Sequence, residues 1–245
     1  MISDILTVIW KEAKEYFHQR GSSRSTVLMM VVPLLVLGIV MPLQFGKAWI
    51  QSPVSLIAWT WIPLLLAVNI IADSIAGERE RHTLETLLAS RLSDTAILLG
   101  KLFASMLYAL VMTFLIIITG IITVNLRFFG GGIIFLPVSF LAVGMLASIL
   151  GTGFAVSAGI LVSLRAATVR QALQTLSFGI IIISVLPTML YTLLPSVMRK
   201  SISLWLDSVN GVHAAAVIFG FLFALDMVLV MLSMKRFKRE KLAVE

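Results

Sequence analysis

Hydrophobic and polar positions divide the chain into long charge-free runs joined by short polar connections. A helix needs about 20 apolar residues to cross roughly 30 Å of hydrocarbon. Six stretches meet that length, 25–46, 48–72, 95–126, 133–164, 171–190 and 212–234. Lys47, beside Gly46, separates the first two, with Pro42 and Pro53 flanking the break. The turn-forming segment from Arg127 to Gly132 precedes the fourth, which is too long for the bilayer alone, so part of it must tilt or project into water. Pro187 and Pro195 place the end of the fifth near Leu190.

Two amphipathic segments lie outside these spans. Ile2, Ile5, Leu6, Ile9, Ala13, Tyr16 and Phe17 recur at three- and four-residue steps, so residues 2–19 read as a helix too charged to span. It is expected to lie in the headgroup plane and to turn into the first span through Gly21-Ser22-Ser23. Within the external segment 191–211, Met198, Ile202, Trp205, Leu206 and Val209 share one face of a second surface helix. The expected organisation is an interfacial helix over 1–24 and a six-span, all-α integral membrane domain over 25–245, with a polar loop at 73–94.

Composition agrees: 59% of residues are apolar and 13% charged, too little polar cover for a soluble domain. With no Cys, disulfides and thiolate metal sites are unavailable, and three scattered histidines, His18, His82 and His213, make no metal cluster. The acidic and basic start does not read as a removable signal peptide. Fifteen of the 19 Lys and Arg fall on the N-terminal segment, the 73–101 insert, the 165–170 connection and the C-terminus. Lys47, Arg127, Arg199 and Lys200 lie on the other side. By the positive-inside rule both termini and the insert face the cytoplasm. The net charge of +7 then lies against anionic headgroups of the cell membrane and does not point to nucleic acid.

The insert at 76–101 carries four bases, four acids and a histidine. Ala76 and Gly77 leave the second span, Glu78 to His82 are polar, and Leu84, Leu87 and Leu88 then share a helical face, with Arg81 and Glu85 spaced as an i,i+4 pair. Ser93 is a good N-cap, with Asp94 favourable in the first turn of the third span. Physics leaves two readings open: a leucine face with a charged rim that docks in a groove of another protein, or a solvated connection whose leucines rest on the membrane.

Gly77-Glu78-Arg79-Glu80, Thr83-Leu84-Glu85-Thr86-Leu87-Leu88-Ala89-Ser90, Leu92-Ser93 and Gly100-Lys101 resemble the cytoplasmic signature of ABC-2 type transporter permeases. Trp10 to Glu15 and Arg165 to Ala172 fit the same pattern, so the likeness covers essentially the whole chain. The resemblance implies an N-terminal elbow helix on the inner leaflet and a coupling helix over Thr83 to Ser90. That helix would enter a cleft of a separate cytoplasmic ATPase, with two permease chains and two ATPases forming the transporter. Glu78, Arg79, Glu80, Arg81, Thr83, Leu84, Glu85, Leu87, Leu88 and Arg91 are the implied coupling residues, and Arg165 and Arg170 belong to a second cytoplasmic loop. Arg91 departs from the family, many members of which carry Pro or a small residue there.

ATP and Mg are expected only in that partner. The Gly-Lys pairs, Gly46-Lys47 and Gly100-Lys101, lack a phosphate-binding loop: Met41 and Thr95 stand where its first glycine would be, and Ala48 and Leu102 follow. No paired carboxylates, Ser/His/Asp set or metal triad points to an enzyme. Asp226 is the one acid well inside a predicted span, able to pair with Asn69 or a loop base as a structural group or to serve as an intramembrane polar site. Small residues at Gly144, Ala147, Ser148, Gly151, Gly153, Ala155 and Gly159, and again at Ala216, Gly220 and Ala224, favour close packing within the chain over a substrate path. The expected function is export of a hydrophobic or amphipathic substrate. The rivals are a secondary carrier or channel without an ATPase and a non-transporting membrane anchor of a larger complex.

Overall fold

The computed structural model describes residues 1–18, 31–52, 54–129, 132–208 and 211–237, and every regular element among them is helical. In chain order these are α1 (Ile2–His18), α2 (Val31–Phe45, with a π-helical stretch at Val36–Val40), α3 (Ala48–Gln51) and α4 (Val54–Glu80). The short α5 (Leu84–Leu88) follows, then α6 (Asp94–Arg127), α7 (Val138–Ser163), α8 (Val169–Leu193), α9 (Ser196–Ser208) and α10 (Gly211–Arg236). Trp59–Glu80, Asp94–Arg127, Val138–Ser163 and Gly211–Arg236 are long and apolar enough to cross a membrane, and Val31–Phe45 and Val169–Ile183 are shorter apolar stretches. The turn at Gly21-Ser22-Ser23, residues 25–30, Pro53, Gly130, Gly131 and Val209 lie outside the described residues. So do the side chains of Phe17, Leu88, Ile202, Trp205 and Leu206.

Several helix ends differ from those the hydropathy pattern predicts. The break between the first two apolar runs spans 46–52: Gly46 takes φ 57, a left-handed value that favours glycine, and α3 is a separate turn. Charge does not end α4 at Ala76-Gly77, and the helix runs on to Glu80 because its polar end finds partners inside the bundle. Residues 133–137 precede α7 and form no helix, which accounts for the excess length of that run. Asn125 staples this segment to α6, its Oδ1 accepting from the Ile134 N–H at 2.6 Å and its Nδ2 donating to the Ile134 carbonyl at 2.9 Å. Pro187 does not stop α8, which continues to Leu193. At the start of α6, Ser93 caps as its residue type predicts, its hydroxyl accepting from the Ala96 N–H at 3.3 Å.

The core lies along the seam of α4 and α7, where Ile71, Ala72, Ile75, Val156 and Ile160 are buried. Small residues make the close approach possible: a Cβ at Gly144 would press on the Trp59 ring, and one at Gly159 would collide with Ile71. Gly220 meets open space, so the small-residue pattern of α10 is not used there within the described chain. Pro63 sits inside α4 and cannot donate to the Trp59 carbonyl. Ser148 on α7 supplies that bond instead, its Oγ donating at 2.8 Å, which turns a helix defect into an interhelical contact.

Candidate functional site

The site is built around a lysine. Lys101, about two turns into the apolar helix α6 and only 2% exposed, has three N–H donors, and each finds an acceptor. Its Nζ lies 2.7 Å from Glu12 Oε1 on α1, 2.7 Å from the Ser74 carbonyl and 3.3 Å from Glu78 Oε1, both on α4. Glu12 and Glu78 are themselves 3% and 6% exposed, so this is a buried ion cluster joining three helices. Gly100 makes the approach possible, since a Cβ there would sit 2.5 Å from the Val8 side chain on α1. The Gly-Lys pair therefore works as a unit: the glycine admits α1 and the lysine binds it.

Lys11 extends the cluster toward water, pairing with Glu15 and Glu78 at 3.2 Å each. Burial alone would lower the pKa of this ammonium, but the carboxylates of Glu78, Glu12 and Glu15 outweigh it and hold the pKa above its ordinary value. Carboxylate oxygens of Glu12, Glu15 and Glu78 lie within 4.8 Å of one another, and the two lysines supply the countercharge there.

The Glu78-Arg79-Glu80-Arg81 run sends its side chains in different directions. Glu78 turns to Lys101 and also accepts from the Thr83 hydroxyl, so Thr83 stands at the N-terminus of α5 without capping it. Arg79 reaches the turn between α7 and α8, its guanidinium donating to the carbonyls of Ala166 at 2.9 Å and Leu164 at 3.0 Å. Glu80 accepts from the Val169 N–H at 3.1 Å, at the first residue of α8. Arg81 pairs with Asp73 at 2.9 Å and not with Glu85. His82 takes φ 57 and breaks the helix between Arg81 and α5, so positions 81 and 85 do not share a helical face. Gly77 lies between Asp73 and Arg81, and a Cβ there would collide with the Asp73 carboxylate.

Leu84 and Leu87 of α5 are turned inward. Leu84 is 8% exposed, and Leu87 and Leu92 pack against the core cluster. With Leu84 and Leu87 packed on the bundle, the exposed positions from α5 onward include Glu85, Thr86, Ala89 and Arg91, and Glu80 to Thr83 are exposed ahead of it. Leu88 closes the helix. Arg91 has no acidic partner among the described residues.

Arg165, in the second connection, and Arg170, in the first turn of α8, are both exposed. Asn69 and Asp226 do not come together. Asn69 is exposed and donates to its own helix at Leu65, 2.9 Å away. Asp226 is 8% exposed, its Oδ1 has no hydrogen-bond partner among the described residues, and its Oδ2 would lie 2.8 Å from a Cβ on Gly153 of α7. Asp226→Asn, which removes a buried charge and no bond, is expected to leave the melting temperature of the purified chain unchanged or higher. A fall of more than about 4 °C would reveal a partner for the carboxylate and overturn its reading as an unpaired packing group.

Reasoning from pattern missed Glu12, Lys11 and Asp73. A faint signal for Glu12 exists: Val8, Glu12 and Tyr16 stand four apart, an acid inside an otherwise apolar line, and these are the buried positions of α1 among its described side chains. Ile2, Leu6 and Trp10 form a separate, exposed apolar line.

The model of a family described as ABC-2 family transporter protein matches residues 47–214, from α3 to the start of α10, including the whole polar insert at 76–101 and the Arg79 contacts. No curated protein matches the chain. A match over more than half of the sequence, on a helical chain with several membrane-crossing helices, makes this protein a multi-pass membrane component of the ABC-2 transporter family.

Proposed function

We propose that the chain is the permease subunit of an ATP-driven exporter, moving a hydrophobic or amphipathic substrate out of the cytoplasm or the inner leaflet. Six spans cross the cell membrane with both termini cytoplasmic, α1 lies on the inner leaflet as the elbow helix, and two permease chains pair with two cytoplasmic ATPases. The observation that carries this reading is the bracing of α5: Glu78, Thr83 and Arg79 tie its approach to α1, α6 and the α7–α8 turn. A displaced α5 would load three other helices at once, which is what a force-transmitting element needs and a loose solvated loop does not. Contacts of this kind move an equilibrium only by differing between two states, and the ATPase would supply that difference on ATP binding.

The docking surface is the exposed side of the insert, Glu85, Thr86, Ala89 and Arg91, with Leu84 and Leu87 anchoring it from behind. A photo-crosslinking amino acid at position 85, 86 or 89, expressed in cells, is expected to capture a chain carrying a phosphate-binding loop. The same probe at exposed Phe129, near the other end of α6, is expected to capture none. Crosslinks from the insert to lipid alone would end the coupling reading.

A further inference from the structure

A cavity of about 320 Å³ opens between the end of α7, the start of α8 and the end of α10, at the end of the bundle that carries α5. It is lined by the apolar Leu161 and Leu232 and by Arg165, Arg236, Gln171 and Thr175, and no carboxylate lines it among the described residues. Neither guanidinium has an ion-pair partner among the described residues. The position of Arg165 is built: the carbonyls on either side of it, of Leu164 and Ala166, are both held by Arg79, and Arg165 lies in the span of backbone between them. Gln171 is likewise fixed, its Oε1 accepting from the Ala167 N–H at 3.0 Å, which leaves its amide nitrogen as a donor. Two arginines without an acidic partner among the described residues, with an amide donor and set against leucines, match the chemistry of a phosphate joined to a hydrocarbon.

Size narrows the ligand. The cavity is at the lower end of small-ligand sites, roughly 300–1,000 Å³, so it suits a headgroup and not a whole lipid. Exposed apolar side chains run beside it, Phe178 on α8 and Val228 and Met231 on α10, where tails would lie. We propose that this cavity binds the phosphate-type headgroup of an anionic leaflet amphiphile, with Arg165 and Arg236 clamping the anion and Leu161 and Leu232 contacting the first carbons of its tail. Basic pockets between membrane helices on the cytoplasmic side hold anionic headgroups in this way. The site takes the α5 end as cytoplasmic, as above, but needs no ATPase.

Binding to the purified full-length chain in uncharged detergent tests it, with dihexanoyl phosphatidic acid, dihexanoyl phosphatidylcholine and inorganic phosphate as probes and calorimetry as the readout. Phosphatidic acid is expected to bind at least roughly tenfold more tightly than the other two, and R165Q and R236Q are each expected to weaken it roughly tenfold. R165K and R236K should restore part of the loss, and because both arginines are exposed the melting temperature should stay constant. Equal binding by the glutamine variants, or none by the native chain, would overturn the site. Inorganic phosphate binding as tightly as phosphatidic acid would overturn the amphiphile in favour of a free anion. These results do not depend on whether α5 contacts an ATPase, so the two readings fail separately.

Discussion

Lys101→Met is expected to lower the melting temperature of the purified chain by roughly 10 °C, the counterpart of about 3–5 kcal/mol for breaking a buried ion pair. The size follows from what remains. Methionine fills most of the space, but Glu12 and Glu78 then face each other inside the bundle without the cation that both address at Oε1. Replacing one partner strands buried charge, whereas replacing both removes the problem along with the bond. Glu12→Gln combined with Lys101→Met should therefore cost less than the two single changes together, by about 1–3 kcal/mol. Strict additivity in thermal unfolding would mean that α1 is not joined to α6 through this pair.

Arg79→Ala is expected to cost about 2 kcal/mol, since a charged donor making two hydrogen bonds to main-chain carbonyls is lost and the carbonyls stay partly buried. The local consequence is more diagnostic than the global one. With Leu164 and Ala166 released, amide exchange across 164–170 should speed up by an order of magnitude or more, while the α4–α7 seam stays protected. Arg79→Lys should rescue little, because one ammonium on a flexible stem does not span two carbonyls as a planar guanidinium does. Unchanged exchange in the alanine variant would remove the link between the insert and the second connection.

Most of the helices were legible in the chain because lipid imposes a simple requirement: uninterrupted apolar length with every backbone group bonded internally. The N-cap at Ser93 and the helix over Ser196–Ser208 were readable for similarly local reasons. Where pattern failed, a non-local partner had changed the local answer. The end of α4 looks like the start of a loop because Glu78 to Arg81 are charged, yet it stays helical since Glu78 is neutralised by Lys101, 23 residues on. Leu84, Leu87 and Leu88 read equally well as a docking face or as leucines resting on the membrane, and the packing of Leu84 and Leu87 into the bundle was not among those readings, because periodicity defines a face without saying what it meets.

The candidate site divides in the same way. Sequence alone determined that the chain is helical and built for lipid, that its internal charge is concentrated in one polar insert, and that Gly100-Lys101 resembles the close of a family signature. Only the tertiary structure decided that Glu12, 89 residues from Lys101, completes the buried cluster, and that Arg79 holds a turn 85–87 residues away. It also decided that Leu84 points into the bundle and that Arg165 and Arg236 share a cavity. The physical reason is that hydrophobic length and helical period are properties of neighbours along the chain, whereas a charge can be buried only if a partner arrives through space.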